Sequence, residues 1–244
     1  MHVALVQLDI VWHDKAANVA KVLDLTADVP AGALIVLPEM FDVGFSMKAA
    51  RTAVGDSVAA VAELARVRRC TVAAGVALRD GDAYRNACLI FDANGELARY
   101  YKRKPFVMVN EGRHYAAGDQ VVVAEIAGAK LAPTICYDLR HPHVFREAAL
   151  AGAEVLVNVA NWPSARAAHW TALLTARAIE NQAYVLGCNR CGRDPYAEYP
   201  GKSVVIDPLG EIVAEAGADE IVLQAEIDVD RVRQVRSELP FLHP

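Results

Sequence analysis

The sequence is poor in the features that mark several large classes of protein. It has no lysine/arginine tract: its densest basic stretch, Arg99 to Lys104, is short and interleaved with tyrosines, and the 244 residues carry a formal net charge of −5. That balance argues against a nucleic-acid partner, because phosphate binding is driven by clustered cations. Long apolar runs are missing too; Ala33–Leu37 and Val155–Val157 fall far short of the roughly 20 residues that cross a bilayer, so no membrane partner is expected. The opening Met-His-Val-Ala-Leu-Val-Gln lacks the charged start and apolar stretch of a signal peptide, which predicts a cytoplasmic location. Neither Gly-x-Gly-x-x-Gly nor Gly-x4-Gly-Lys-Ser/Thr occurs, and no serine sits in Gly-x-Ser-x-Gly, which disfavours nucleotide cradles and serine hydrolases. Cysteine is limited to five residues without a framework spacing, as in chains whose thiols stay reduced. The one CxxC, Cys188-Asn-Arg-Cys191, is half of a paired zinc motif, so no metal is expected. Linkers, repeats and low-complexity segments are absent as well, which predicts a single domain over residues 1–244.

What is present is apolar and periodic. Hydrophobic residues make up 54% of the chain, enough for one large core and too much for disorder. Short runs rich in Val, Ile and Leu predict strands at Val3–Leu8, Leu34–Leu37, Thr71–Ala77, Asn86–Phe91, Leu97–Tyr101, Val121–Ile126, Leu131–Cys136, Val155–Val159, Ala183–Asn189, Ser203–Ile206 and Ile221–Ile227. Helical spacing predicts helices at Asp14–Thr26, Ser57–Arg68, Val144–Leu150 and Ser164–Glu180. Arg79-Asp-Gly-Asp82, Asp92-Ala-Asn-Gly95 and Asp207-Pro-Leu-Gly210 read as tight hairpin turns. Crossover units mixed with hairpins exclude an all-parallel sheet. So many fully apolar strands suit two mixed sheets packed face to face with helices outside, an α/β fold.

Three places carry chemistry at or just past the end of a strand, where open α/β sheets place ligand sites. Leu131-Ala-Pro-Thr-Ile-Cys136 stops abruptly at Tyr137-Asp-Leu-Arg140, and a thiol at such a turn lies beside backbone N–H groups that can receive an oxyanion. Glu39 follows the strand end Leu37-Pro38 and has Met40 and Phe41 behind it, a partly desolvated setting suited to a general base. Tyr101-Lys-Arg-Lys104 follows another strand; alternation places Lys102 and Lys104 on one face and Arg103 on the other. Each has a bland reading as well: a core cysteine, a solvated loop acid and a basic turn. Together, a carboxylate, an ammonium and a thiol are the parts needed to cleave an amide or nitrile through an acyl intermediate.

Pro38-Glu-Met-Phe41, Tyr101-Lys-Arg103 and Ile135-Cys-Tyr-Asp-Leu-Arg140 resemble the three signature blocks of the nitrilase superfamily of carbon–nitrogen hydrolases, in the family's Glu, Lys, Cys order. Asn158-Val-Ala-Asn161-Trp162-Pro163 and Leu174-Thr-Ala-Arg-Ala-Ile-Glu-Asn-Gln-Ala-Tyr184 resemble its bacterial omega-amidase branch, so the likeness covers essentially the whole chain. The resemblance implies a four-layer α-β-β-α sandwich, a homodimer paired through its helices, and no cofactor. It implies Glu39 as general base, Lys102 as oxyanion stabiliser, Cys136 as nucleophile and Glu111 as a supporting second glutamate. Lys104-Pro-Phe106 and Arg140-His-Pro142 depart from the branch's usual His-Leu-Phe and Arg-Phe-Pro.

The expected reaction is hydrolysis of small linear ω-amides of dicarboxylates, of the 2-oxoglutaramate or succinamate type. Deaminated glutathione and simple aliphatic amides are the alternatives within the superfamily, and a silent binding or scaffold subunit is the non-enzymatic one. Tyr137, Arg140, Asn161, Trp162 and Phe41 are the residues expected around the substrate, with Arg140 either gripping its carboxylate or paired structurally with Asp138 or Glu147.

Overall fold

The computed structural model describes residues 1–48 and 56–242. Its first sheet contains β1 (His2–Gln7), β2 (Leu34–Leu37), β3 (Thr71–Asp80), β4 (Ala83–Asp92), β5 (Gly95–Tyr101) and β14 (Ile221–Glu226), in the order β14-β1-β2-β3-β4-β5. The second contains β6 (Ala124–Ile126), β7 (Ala129–Ile135), β8 (Val155–Ala160), β9 (Tyr184–Asn189), β12 (Val204–Ile206) and β13 (Ile212–Glu215), in the order β13-β12-β9-β8-β7-β6. Each sheet is mixed: β1, β2 and β3 run parallel, as do β7, β8 and β9, while the outer strands join through antiparallel pairings. A small hairpin, β10 (Cys191–Arg193) with β11 (Glu198–Pro200), stands apart. The α-helices are α1 (Lys15–Leu25), α2 (Asp56–Arg68), α3 (Pro142–Leu150), α4 (Ala167–Asn181) and α5 (Val229–Glu238).

Strand alternation builds the layers. In β1, Val3 and Leu5 face the second sheet and join Val36, Ile90, Ile135, Val157 and Leu186 in a core between the sheets. Ala4 and Val6 face the other way, onto Val22 of α1 and Val61 and Leu64 of α2. Beyond the second sheet, Leu156, Val185 and Ile206 meet Phe145 of α3 and Trp170 and Leu174 of α4. The order is therefore helix, sheet, sheet, helix. All three expected turns form hairpins; in one, Asp92 Oδ1 accepts from the N–H groups of Asn94 and Gly95 at 2.7 and 3.0 Å. Among the described residues no helix is long and apolar enough to cross a membrane.

The departures from expectation have local causes. Val121–Ile126 contributes only Ala124–Ile126 to a strand, because β6 pairs only as far as Ala124 with Leu131. Ser164–Glu180 opens with a 3-10 turn over Ser164–Arg166, after which α4 begins at Ala167. Cys191 begins β10 with its side chain buried. Cys70 and Cys88 are buried, and Cys188 is buried with its thiol 3.3 Å from the Val36 carbonyl oxygen.

Candidate active site

Strand ends of both sheets deliver Glu39, Lys102 and Cys136 to one end of the sandwich. Glu39 follows β2 and Pro38, and its backbone lies against β3: a Cβ at Gly75 would sit 2.4 Å from the Glu39 Cα. Glycine at that position is what lets the Glu39 segment approach the strand. The Gly75 carbonyl oxygen then accepts the Phe41 N–H at 3.0 Å, fixing the turn in which Met40 takes a positive φ of 47°. Lys102 comes directly after β5, its N–H donating to the Asn86 carbonyl at 2.9 Å. Cys136 follows β7 with a φ of 44°, a left-handed conformation that costs a non-glycine residue energy and that folded proteins keep mainly where function needs it.

Glu39, Lys102 and Glu111 form one buried network. The Lys102 ammonium donates to Glu39 Oε1 at 2.8 Å and to Glu111 Oε2 at 2.9 Å, and all three side chains are at most 2% exposed. Asn86 Nδ2 bridges the two acids, donating to Glu39 Oε1 at 2.7 Å and Glu111 Oε1 at 2.8 Å. Glu39 Oε2 accepts the Asn161 N–H at 3.1 Å, and Glu111 Oε2 accepts the Phe106 N–H at 2.6 Å. Ionised carboxylates with this many donors are charge-assisted and held in place. Burial alone would release the Lys102 proton, but Glu111 and Glu39 overcome it and hold the lysine above its ordinary pKa. The Cys136 thiol goes well above its ordinary value because burial, then the Glu39 charge, oppose the thiolate more than Lys102 favours it. The protonated thiol is therefore favoured beside Glu39, Glu111 and the Lys102 ammonium. A base that takes the proton as the sulfur attacks would offset that bias.

Asp138 ties this network to its surroundings. Fully buried, it accepts the Tyr100 hydroxyl at 2.8 Å, the Ile135 N–H at 3.0 Å and the Lys104 N–H at 2.8 Å. One carboxyl thus joins β5, the loop after Lys102 and the strand end before Cys136. Burial pushes its pKa up to about 6.

A cavity of about 180 Å³ opens above Cys136. Tyr137, Arg140, Asn161 and Trp162 line it, together with Phe45, Phe106, Arg166 and Tyr199, which sequence reading did not single out. Phe41 does not: it packs with Val22, Val61 and Leu64 in the core beneath α1 and α2, and Phe45, four residues on and past the left-handed Met40, takes the place at the cavity. Lys104 is likewise outside the network, because β5 ends at Tyr101 and alternation stops there. Arg140 pairs with neither expected acid: Glu147 is 2.7 Å from Arg103, and Asp138 is taken up as described. Its guanidinium lies 4.8 Å over the Trp162 ring and 3.0 Å from His169 Nδ1, with no carboxylate partner among the described residues. Asn86 and Asp138 had a legible signal: an amide and an acid inside apolar strand-end sequence, Asn86-Ala-Cys-Leu and Ile135-Cys-Tyr-Asp138.

A two-sheet sandwich with helices outside, and a thiol, a lysine and two glutamates meeting at one end, define a class of hydrolases that attack carbon–nitrogen bonds. The chain belongs to the carbon-nitrogen hydrolase family, whose model matches residues 2–237. Omega-amidase YafV of Escherichia coli K12 is 39% identical over 98% of this chain and 94% of its own length. The 2-oxoglutaramate amidase of Bacillus subtilis is 33% identical, covering 98% and 95%. Among solved structures, a CN-hydrolase superfamily protein of Xanthomonas campestris superposes with a TM-score of 0.94 at 34% identity, covering 99% of this chain and 96% of that one. Nit3 of Saccharomyces cerevisiae gives 0.90 at 27% identity, covering 98% and 94%.

Proposed function

We propose that the protein is an amidase for small linear ω-amides of dicarboxylates, working through a cysteine thioester. The observation that carries this reading is the buried Glu39–Lys102–Glu111 network beside Cys136, which itself lines a cavity that Arg140 also lines. Glu39 takes the thiol proton as Cys136 Sγ bonds to the amide carbon. The oxyanion is held by the Lys102 ammonium and by the Tyr137 N–H, which lies in the first turn of the 3-10 segment Cys136–Arg140, where N–H groups have no intrahelical acceptor. Glu39 then returns the proton to the nitrogen as the C–N bond breaks and ammonia leaves. Water, deprotonated by the same carboxylate, cleaves the thioester and restores the thiol. Glu111 keeps Lys102 charged and aimed.

Arg140 selects the substrate. A guanidinium laid on an indole and steadied by His169 is preorganised for a bidentate grip on the carboxylate at the far end of the amide. The YafV and 2-oxoglutaramate amidase relatives support that substrate class. The omega-amidase likeness also supports a homodimer paired through the outer helices, where Leu150 of α3 and Ile179 of α4 are about half exposed.

Ammonia release should be measured over succinamate, 2-oxoglutaramate, propionamide and a simple nitrile. Turnover of the first two, well above that of propionamide, is expected, with the preference lost in Arg140→Ala through a raised KM for succinamate. Equal turnover of charged and neutral amides, or an unchanged KM in the variant, would contradict the carboxylate grip.

A further inference from the structure

The turn that carries Cys136 ends on a carbonyl that its own spacing leaves without a donor. The 3-10 segment Cys136–Arg140 closes with the His141 N–H on the Asp138 oxygen at 2.9 Å. Leu139 is the next acceptor along, and the residue three positions beyond it is Pro142, which has no N–H; His141 between them has already turned to extended backbone. Leu139 is fully buried, so water cannot make up the loss.

The donors come from α4. Arg177 gives the Leu139 oxygen its Nε–H at 3.2 Å and an Nη2–H at 2.7 Å. Its Nη1 donates to Glu180 Oε1 at 3.0 Å, and its guanidinium lies 5.6 Å over the Phe145 ring of α3. Arg177 is buried. A buried guanidinium is a costly donor for one neutral oxygen, since an apolar side chain in such a place is often as stable or more so. What the guanidinium adds is direction. Two N–H groups of one rigid plane fix the carbonyl where a single donor would let it swing.

The residue after that carbonyl is Arg140. Earlier in the turn the anchors are different: Asp138 Oδ2 accepts the Ile135 N–H, and the same carboxyl accepts the Tyr100 hydroxyl and the Lys104 N–H. Cys136 and Tyr137 therefore lie between fixed points that do not involve α4. Beyond Asp138, Arg177 ties down the backbone at Leu139, and His169, also of α4, meets the Arg140 guanidinium with Nδ1 at 3.0 Å. We infer that Arg177 is a positioning residue for Arg140. By fixing the Leu139 carbonyl it sets where the Arg140 guanidinium stands in the cavity, and so how tightly the enzyme holds a substrate carboxylate. This inference rests on the proposed carboxylate grip of Arg140.

The test is KM and kcat for succinamate and propionamide, with wild type, Arg177→Met, Arg177→Lys, Arg140→Ala and the double variant Arg140→Ala/Arg177→Met. KM does not depend on the folded fraction, so the comparison holds even where a variant folds poorly. Arg177→Met is expected to raise the KM for succinamate tenfold or more, while kcat and the KM for propionamide stay near wild type. Arg177→Lys, which keeps the charge and a donor, is expected to raise it less. The double variant should match Arg140→Ala alone, because Arg177 acts through Arg140. A raised KM in Arg140→Ala with an unchanged one in Arg177→Met overturns the positioning role and leaves the carboxylate grip standing. Equal losses on succinamate and propionamide, or effects that add in the double variant, overturn it as well, since Arg177 would then serve the fold alone. An unchanged KM in Arg140→Ala contradicts the grip, and the role of Arg177 with it.

Discussion

Replacing Glu111 by Gln should move two properties of the site in opposite directions. The Glu111 charge is one of the forces that holds the Cys136 thiol above its ordinary pKa, so its removal favours the thiolate. Alkylation of Cys136 by iodoacetamide should therefore speed up at a given pH, and its pH profile should shift to lower pH. Amide turnover should fall. Glu111 accepts from Lys102 at 2.9 and 3.2 Å, from Asn86 at 2.8 Å and from the Phe106 N–H at 2.6 Å, and Gln replaces one of these acceptor oxygens with a donor. Losing a charge-assisted hydrogen bond costs about 1.5–3 kcal/mol, and leaving a buried donor unpaired adds about 1–3. Where half of the combined loss reaches the transition state, kcat on succinamate falls roughly 10- to 100-fold. Alkylation rates and ammonia release, measured on the same preparation from pH 6 to 9, separate the two effects. Slower alkylation together with lost turnover would mean that Glu111 only props up the fold. Unchanged turnover would refute its hold on Lys102.

Lys102→Met should lower kcat by at least about 10²-fold, the usual cost of an oxyanion donor, while Lys104→Met should not; the reverse pattern in ammonia release would overturn the register of this loop. Phe41→Ala should lose about 3–5 kcal/mol in denaturant unfolding and leave the KM for succinamate unchanged, whereas Phe45→Ala should change KM. Gly75→Ala forces a Cβ to within 2.4 Å of Glu39 Cα, so overpacking of about 1–3 kcal/mol and a loss of activity of at least tenfold are expected from unfolding and rate measurements. Asp138 carries a pH signature. Its folded pKa, about 6, lies above the ordinary 3.8, so the folded state holds the proton longer than the unfolded one. The stability this group contributes is present below about pH 4 and is lost as pH rises toward 6; Asp138→Asn should lack that slope in unfolding measured from pH 4 to 7.

Much of this arrangement can be read from local sequence because its causes are local. Cys136 and Glu39 each end an apolar run at a turn, and the three hairpins announce themselves by Asp, Asn and Gly. The two sheets follow from having too many buried strands for one. Other elements depend on distant partners. The helix α5 has only Val232 and Val235 buried among charged neighbours, so its apolar stripe is too narrow to stand out. The edge strand β13 is mostly exposed and lacks the apolar run of a buried strand, so it shows only in its pairing with β12. The exchange of Phe41 for Phe45 goes with two left-handed residues, Met40 before Phe41 and Gly44 before Phe45, and no spacing rule foresees the Met40 turn. Glu111 reached the candidate site through family resemblance, since nothing in Asn110-Glu-Gly-Arg113 reveals that a lysine nine residues earlier will bury against it.

The proposed amidase mechanism depends on one sulfur acting with Glu39 and Lys102. Initial rates of ammonia release from succinamate by wild type and by Cys136→Ala, with the fold of both verified by their unfolding transitions, test it most directly. Steady release by wild type and none above background by a folded Cys136→Ala variant is the predicted result. Release by the variant at a rate comparable to wild type would contradict it.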